Sequence, residues 1–361
     1  PTRILTYYNS LVNNFPSEYK SAKLSTGKVT IKQVQFPQKL DKNTLVIKPF
    51  YMGICRADVK EVIGSRDIPM DRGPLFGHEF VGEIVYAGDQ TGFIAGVQVT
   101  FNPNITPNRT TGFAEYFFIT ADKNTLKLAI IPLNQEISIN PPWQPEPFAC
   151  IVHSLDKYLE LTHVNNLDDR HVGIIGAGNS GIMFGLYAKY LGAKVKLLNR
   201  GTMRIDFTRE KDLFNEDEID LLGNYKEYEN KFDVVIVVPT KIEPDILETS
   251  TKIVQDNGVL HLYGGTRQND MLQNINIDKV RREELIDGPI SQNGKKFNVS
   301  GAYGCIKEDY LKAFNLYLKF HLQFPLEKLI SKEISLQEFP EIIISMANNK
   351  IDFPGKVLVR P

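Results

Sequence analysis

The feature that most constrains this chain is the run His171-Val-Gly-Ile-Ile-Gly176-Ala-Gly178-Asn-Ser-Gly181. A short apolar strand pattern runs directly into G-x-G-x-x-G and then into a helical pattern from Ser180 to Leu191. In that context the three glycines have separate physical tasks. Gly176 permits a tight turn, Gly178 lets a pyrophosphate approach the backbone, and Gly181 lets helix and strand pack closely. The helix that opens at Asn179 and Ser180 offers unsatisfied N–H groups to the phosphates. Around this motif, strand and helix patterns alternate. Phe148 to Tyr158 reads as a helix, and Lys194-Val-Lys-Leu-Leu, Phe232-Asp-Val-Val-Ile-Val-Val and Val259-Leu-His-Leu-Tyr read as strands. The near-continuous apolar run at Phe232 suits a parallel strand covered on both faces. The alternation predicts an α/β fold with a doubly wound parallel sheet, that is, a Rossmann domain.

The end of the second strand bears on cofactor choice. An acidic residue there binds the ribose 2′-hydroxyl of NAD, whereas an arginine accommodates the 2′-phosphate of NADP. Here Asn199-Arg200 stands 18 residues beyond Gly181, followed by Thr202 and Arg204, with no Asp or Glu at the strand end. The expectation is NADP(H) in preference to NAD(H), with Asn199 and Arg200 at the adenosine ribose.

The first 150 residues have a different texture. Short β-branched segments at Val29, Leu45, Phe80 and Val97 are punctuated by Gly and Pro, the pattern of an irregular β-rich domain. From about Gly301 the pattern changes again, to a helix over Glu308 to His321 and a last strand at Lys356-Val-Leu-Val-Arg that is expected to return to the first domain. The expected division is a catalytic domain from residues 1–150 and 304–361 and a dinucleotide-binding domain from 151–303.

Bulk properties exclude several classes. Forty-two basic residues balance 43 acidic ones for a formal net charge of −1, which gives no electrostatic reason to expect nucleic acid or an anionic membrane as partner. Three cysteines, Cys55, Cys150 and Cys305, lie far apart in the 361 residues and are too few for a disulfide framework, so a reducing cytoplasm is the expected compartment. The opening Pro1-Thr-Arg-Ile-Leu-Thr-Tyr-Tyr has no long apolar stretch behind a basic start, and no segment is apolar enough to span a membrane.

Three segments carry potential metal ligands: Gly53-Ile-Cys55-Arg-Ala-Asp58, Gly77-His78-Glu79, and Glu146-Pro-Phe-Ala-Cys150. Thiolate, imidazole and carboxylate are the donors zinc prefers, and a catalytic site keeps one position open. Zinc in such a site lowers the pKa of a bound hydroxyl and so assists hydride loss. Asp58, three residues past Cys55, is placed to accept the second imidazole N–H of His78.

With Gly112-Phe-Ala-Glu-Tyr and the glycine turn added, these segments resemble the zinc-dependent medium-chain dehydrogenase/reductase superfamily over nearly the whole chain. The Glu-Pro segment is similar to its sorbitol and glucose dehydrogenase branch. The resemblance implies a GroES-like catalytic domain and a single zinc held by Cys55, His78 and either Glu79 or Glu146, the other carboxylate reaching the metal directly or through water. It also implies a homodimer or homotetramer. Dimers in this superfamily often pair edge strands of the nucleotide domains, and Asn298-Val-Ser-Gly-Ala-Tyr reads as such an edge. The catalytic group is then Cys55, His78, Glu79 and Asp58, acting on a small hydroxylated substrate, a polyol, sugar or polyol phosphate.

Two departures from the family stand out. Asn102 to Thr111, where many members carry four cysteines for a structural zinc, has none, so one zinc per chain is expected. Ala57 replaces a Ser or Thr that relays a proton in many relatives. Ile54-Cys-Arg-Ala-Asp with Gly64-Ser-Arg-Asp67 is similar to ribulose-5-phosphate reductases, which points to an anionic substrate and to Arg66 or Arg56 as a phosphate clamp. The competing readings are an NAD-dependent alcohol or threonine-type dehydrogenase, a zinc-independent reductase of carbon–carbon double bonds, and a non-catalytic nucleotide-binding protein.

Overall fold

The computed structural model describes residues 15–66, 74–105 and 108–361. The reading of Pro1 to Tyr8 and the position of Asp67 lie outside these residues. The chain forms two compact units, residues 1–146 with 330–361, and residues 147–329. These divisions follow Glu146 and Leu329, where the sequence suggested 150 and 303; the helix expected at Glu308 therefore belongs to the second unit, not the first.

The first unit opens with an antiparallel hairpin of β1 (Glu18–Ser25) and β2 (Lys28–Gln35). Its larger sheet uses β3 (Thr44–Gly53), β4 (Glu79–Ala87), β5 (Gln98–Phe101), β6 (Asn108–Arg109), β7 (Phe117–Thr120) and β8 (Ile130–Pro132). Helix α1 (Arg56–Val62) follows β3, and α2 (Lys123–Ala129) precedes β8. The second unit, described below, contributes strands β9–β17 and helices α3–α8. The chain then returns with β18 (Ile330–Ser335), α9 (Phe339–Ala347) and β19 (Lys356–Arg360). The sheet order is β18-β19-β3-β4-β5-β8, with β7 against the other part of β3 and β6 against β7. Strand β3 is central because its apolar residues are inaccessible, Leu45, Val46, Ile47 and Met52 among them. A cluster of aromatic rings fills the core beneath it, with Phe80 and Phe117 centroids 4.8 Å apart. The C-terminal strand β19 pairs antiparallel with the end of β3, Leu358 opposite Gly53. On the other side Gly53 pairs with Glu79, the first residue of β4. One end of the sheet therefore gathers Gly53, Glu79 and the start of β19.

The second unit is a seven-stranded sheet with helices between its strands. Its elements are α3 (Pro145–Thr162, which starts just before the division), β9 (His171–Ile175), α4 (Asn179–Tyr190), β10 (Lys194–Asn199), α5 (Thr202–Glu210), β11 (Ile219–Leu221), β12 (Phe232–Val237), α6 (Pro244–Ile253), β13 (Val254–Leu262), the short hairpin β14 (Met271–Leu272) and β15 (Ile275–Asn276), α7 (Ile277–Arg282), β16 (Ile286–Gln292), β17 (Lys295–Gly301) and α8 (Lys307–Lys319). The order β11-β10-β9-β12-β13-β17-β16 places β9, the unit's first strand in sequence, inside the sheet, with parallel strands β10 and β11 on one side and β12, β13 and β17 on the other, and β16 closing the edge antiparallel. This is the doubly wound order, with the topological switch beside β9. The apolar run of β12 is buried on both faces, as its composition requires.

The Asn298 segment is not an edge strand. It lies in β17, between β13 and β16, and the outermost strand is β16. The cause is local: Asn293 and Gly294 both adopt positive φ, 54° and 76°, which turns the chain into a tight hairpin and lays β16 over β17.

Candidate functional site

The ligand cluster is built from the end of the first unit's sheet. Cys55 caps the N-terminus of α1, its Sγ accepting from Ala57 N at 3.5 Å. Asp58 and Glu61 follow at three-residue intervals and so share one face of that helix. Both carboxylates are used to hold the loop that carries His78. Glu61 accepts from Leu75 N at 2.6 Å and Phe76 N at 3.1 Å. Asp58, fully buried, accepts from Cys55 N at 2.8 Å with one oxygen and from Gly77 N at 3.0 Å with the other. One helix thus fixes the backbone on both sides of the cluster. Arg109 reinforces the same loop by donating to Pro74 O at 2.8 Å. Burial lowers its pKa to about 10, against the pull of Asp58 and Glu61.

The imidazole tautomer follows from this geometry. Nδ1 of His78 lies 2.7 Å from Leu75 O, so Nδ1–H donates to that carbonyl and Nε2 is the nitrogen turned toward Glu79. The sequence suggested Asp58 as the acceptor. Asp58 Oδ1 is 3.6 Å away, beyond hydrogen-bond length, because its oxygens are taken up by the two backbone amides. Asp58 acts on His78 through charge: burial pushes the imidazole pKa down, but Asp58 and then Cys55 outweigh it and leave it well above its ordinary value.

Donor atoms of Cys55, His78 and Glu79 all lie within 4.8 Å of one another. His78 Nε2 and Glu79 Oε1 are 3.8 Å apart. Ligands on a tetrahedral zinc at its usual bond lengths are separated by roughly 3.5 Å, so the donor set and its spacing fit zinc with small adjustments. Burial and the Glu79 charge raise the pKa of the Cys55 thiol, while His78 and Lys356 pull it back.

Sequence reasoning missed Lys356. The register of β19 brings its Nζ to 2.5 Å from Glu79 Oε2 and 3.3 Å from Ile54 O, although 277 residues separate the ion pair. Burial disfavours this ammonium, but Glu79, Cys55 and more weakly Glu146 hold its pKa above the usual value. Glu79 therefore turns one oxygen to Lys356 and the other toward His78. The carboxylate passes so close to β3 that a Cβ at residue 53 would lie 2.4 Å from Oε2, so a side chain there would have to displace the carboxylate from its position beside Lys356. The only signal available in sequence was a lysine opening an otherwise apolar strand.

Glu146 lies buried in the first turn of α3 and is outside the Cys55–His78–Glu79 cluster. Arg66 is neither an open loop residue nor a free clamp: it is buried against Glu61, at 2.6 Å. Arg56 is paired with Asp352 on the surface.

In the second unit Gly176 adopts φ +107°, and Gly178 is the N-cap of α4 without a side-chain cap, so the first amides of that helix are left for another acceptor. Helix and strand approach so closely that a Cβ on Gly181 would stand 1.7 Å from Gly176 O. Asn179 and Ser180 form the first turn of α4. Asn199 ends β10 and braces the turn, its Oδ1 accepting from Ala177 N at 3.0 Å and its Nδ2 donating to Gly201 O at 2.8 Å. Arg200 is exposed and pairs with Asp245 at 2.5 Å. Arg204 lies beside the turn, 3.6 Å from where a Gly178 Cβ would sit.

Comparison with known proteins agrees with both halves. The alcohol dehydrogenase GroES-like domain family matches residues 41–129. Glucose 1-dehydrogenase 2 of Saccharolobus solfataricus is 26% identical over 203 residues, covering 54% of this chain and 50% of that protein. L-threonine 3-dehydrogenase of Burkholderia ambifaria is 29% identical over 219 residues, covering 52% and 59%. The chain thus spans little more than half the length of the curated relatives it matches. Among solved structures, galactitol-1-phosphate dehydrogenase of Escherichia coli superposes with a TM-score of 0.67 at 20% identity, covering 95% of this chain and 100% of that one. A protein of Sinorhizobium meliloti described as a zinc-binding dehydrogenase, solved bound to NADP, gives 0.69 at 19%, covering 96% and 100%. The fold is that of these dehydrogenases, a GroES-like β-rich domain with a Rossmann domain. Residues 41–129 thus match the alcohol dehydrogenase GroES-like domain family, and the chain as a whole is similar in sequence and fold to dehydrogenases of the zinc type.

Proposed function

We propose that the chain is an oxidoreductase that transfers a hydride between NADP(H) and a hydroxyl or carbonyl of a polyol, sugar or polyol phosphate, with one zinc per chain. The observation that carries this reading is the convergence of Cys55, His78 and Glu79 donor atoms within 4.8 Å. Zinc held there would supply Lewis acidity toward a substrate oxygen. Cys55, His78 and Glu79 would hold the ion, and Glu146, which lies outside that cluster, would be the further carboxylate, reaching it directly or through water. Asp58 fixes the two ligand segments, and the Nδ1–H bond to Leu75 O keeps His78 Nε2 as donor. Lys356 neutralises Glu79, so the donors together bring less negative charge to the site than their number suggests.

The nicotinamide nucleotide would supply the hydride acceptor or donor. Gly176, Gly178 and Gly181, with Asn179 and Ser180, would cradle its pyrophosphate at the start of α4, and Asn199 and Arg200 would hold its adenosine ribose. Preference for NADP(H) rests on the absence of a carboxylate at the end of β10 and on Arg200. The Arg200–Asp245 pair is exposed on both sides and therefore weak, so a 2′-phosphate can displace it. The S. meliloti structure holds NADP in the same fold, and the E. coli neighbour is named for a polyol phosphate. The catalytic domain is assigned to residues 1–146 and 330–361, and the nucleotide domain to 147–329. The similarity to L-threonine 3-dehydrogenase keeps an amino-alcohol substrate with NAD as the second reading.

The test is elemental analysis together with a turnover screen of polyols, aldoses, their phosphates and amino alcohols with each cofactor, read at the reduced-nicotinamide absorbance. About one zinc per chain and polyol-dependent NADPH turnover are expected. No bound zinc and no turnover would overturn the reading, and a threonine-type substrate with NADH would replace it by the second.

A further inference from the structure

The second unit brings together two side chains that the proposed chemistry does not use. Cys150 on α3 and Cys305 between β17 and α8 are 155 residues apart in sequence, yet their sulfurs are 3.6 Å apart, both as thiols. Cys305 is buried at 4% exposure, while Cys150 is partly accessible.

The segment that carries Cys305 is fixed on both sides of it. Tyr303 N donates to Glu284 Oε1 at 3.1 Å, and Ile306 N donates to Asp309 Oδ2 at 2.7 Å. The same two carboxylates grip His153, at 2.6 Å from Nε2 and 2.8 Å from Nδ1. His153 lies one turn beyond Cys150 on α3. Burial alone would lower its pKa, but Asp309 and Glu284 raise it to about 10, so both bonds join an imidazolium to a carboxylate. One histidine on α3 thus ties down the loop on either side of Cys305 and sets that thiol against Cys150.

We propose that Cys150 and Cys305 are a peroxide-responsive disulfide site. The Cys150 sulfur attacks one oxygen of hydrogen peroxide. The O–O bond breaks, the thiol proton leaves with the departing hydroxide as water, and Cys150 becomes a sulfenic acid. The Cys305 sulfur then attacks the Cys150 sulfur. The S–O bond breaks, an S–S bond forms, and the hydroxide leaves with the Cys305 proton as a second water. Two thiols and one peroxide give one disulfide and two waters, the sulfurs losing the two electrons that peroxide gains. Bonded sulfurs lie about 2 Å apart, so the pair must close from its 3.6 Å separation as the bond forms. The product ties α3 to the segment leading into α8.

The experiment treats the purified full chain with a few equivalents of hydrogen peroxide, then alkylates, digests without reductant and identifies linked peptides by mass spectrometry. Thiols titrated in denaturant are expected to fall from three to one, with a Cys150–Cys305 peptide pair that dithiothreitol returns to two thiols. Cys150→Ser and Cys305→Ser should each abolish the pair, and His153→Ala should slow its formation about tenfold. The measurement on the unaltered chain stands even where a variant fails to fold. Retention of all three thiols, a link to Cys55, or sulfinic acid at Cys150 with no linked peptide would overturn the proposal.

Discussion

The pocket of Cys55, His78 and Glu79 and the glycine turn are built on opposite plans. The pocket is a network of buried side chains drawn from distant segments: Cys55 and Asp58 from one helix, His78 and Glu79 from a strand start, Lys356 from the C-terminus. Its shape depends on each charge finding a partner. The turn is six consecutive residues whose function lies in backbone conformation and in the absence of side chains. A network of partnered charges fails by losing one partner, whereas a turn fails by gaining one atom. Substitutions separate the two plans because each should damage one region and spare the other.

The largest effect is expected from Cys55→Ala. Removing a thiolate ligand should empty the pocket of zinc and cost activity roughly a thousandfold, the several kcal/mol attributed to metal catalysis, while nucleotide affinity measured by fluorescence titration stays near wild type. Retained zinc with full turnover would remove Cys55 from the metal set. Lys356→Met comes next. It leaves Glu79 as a buried, unpaired carboxylate, and breaking such a pair costs about 3–5 kcal/mol. Denaturant unfolding should show that loss, and the Lys356→Arg variant should recover part of it. An unchanged unfolding midpoint would show that the pair carries no stability.

Gly181→Ala tests the other plan. Its Cβ would stand 1.7 Å from Gly176 O, so helix and strand must part. Overpacking of this kind costs about 1–3 kcal/mol, and nucleotide affinity should fall at least tenfold with zinc content unchanged. Loss of zinc in this variant would break the claimed independence of the two regions. Asn199→Asp is gentler. It keeps the oxygen that accepts from Ala177 N and adds the carboxylate that a ribose 2′-hydroxyl favours. The ratio of kcat/KM values for NADH and NADPH should move toward NADH by about tenfold, equivalent to about 1.4 kcal/mol. A ratio that does not move would exclude residue 199 from cofactor selection.

The two plans also explain what could be read from sequence. The turn was legible because its function is local: spacing, flanking strand and following helix are all contiguous. The doubly wound order followed from the same alternation. Of the pocket, Cys55, His78 and Glu79 were legible as residue types, but their arrangement was not. Which group takes the second imidazole nitrogen was misjudged, since nothing in sequence shows that Asp58 spends its oxygens on two amides. Lys356 was invisible because its partner is 277 residues away and only the register of β19 against β3 joins them. The β16–β17 hairpin escaped for the opposite reason: its Asn293-Gly294 signal was present in the sequence and was passed over in favour of an edge-strand reading of the residues after it.

A final test concerns pH, and it separates the turn from the unit that carries it. Gly176 to Gly181 contains no ionisable side chain, so the pH dependence of stability in the second unit must come from elsewhere. Two of its histidines act in opposite directions. His153, between Asp309 and Glu284, has a folded pKa of about 10, above the unfolded value near 6.5. Its stabilisation is complete below about 6.5 and is lost as pH rises toward 10. His261 is buried between Ser154 and Ser300, each 2.9 Å away, and burial lowers its pKa to about 4. Its stabilisation is present above about 6.5 and is lost as pH falls toward 4. The unit should therefore be most stable near neutrality, with an alkaline limb belonging to His153 and an acid limb to His261. Denaturant midpoints across pH 4.5–10 should show both limbs in the wild type. His153→Gln should flatten only the alkaline limb, and His261→Gln only the acid one. If both limbs survive in both variants, the pH response of this unit resides in groups other than these two imidazoles.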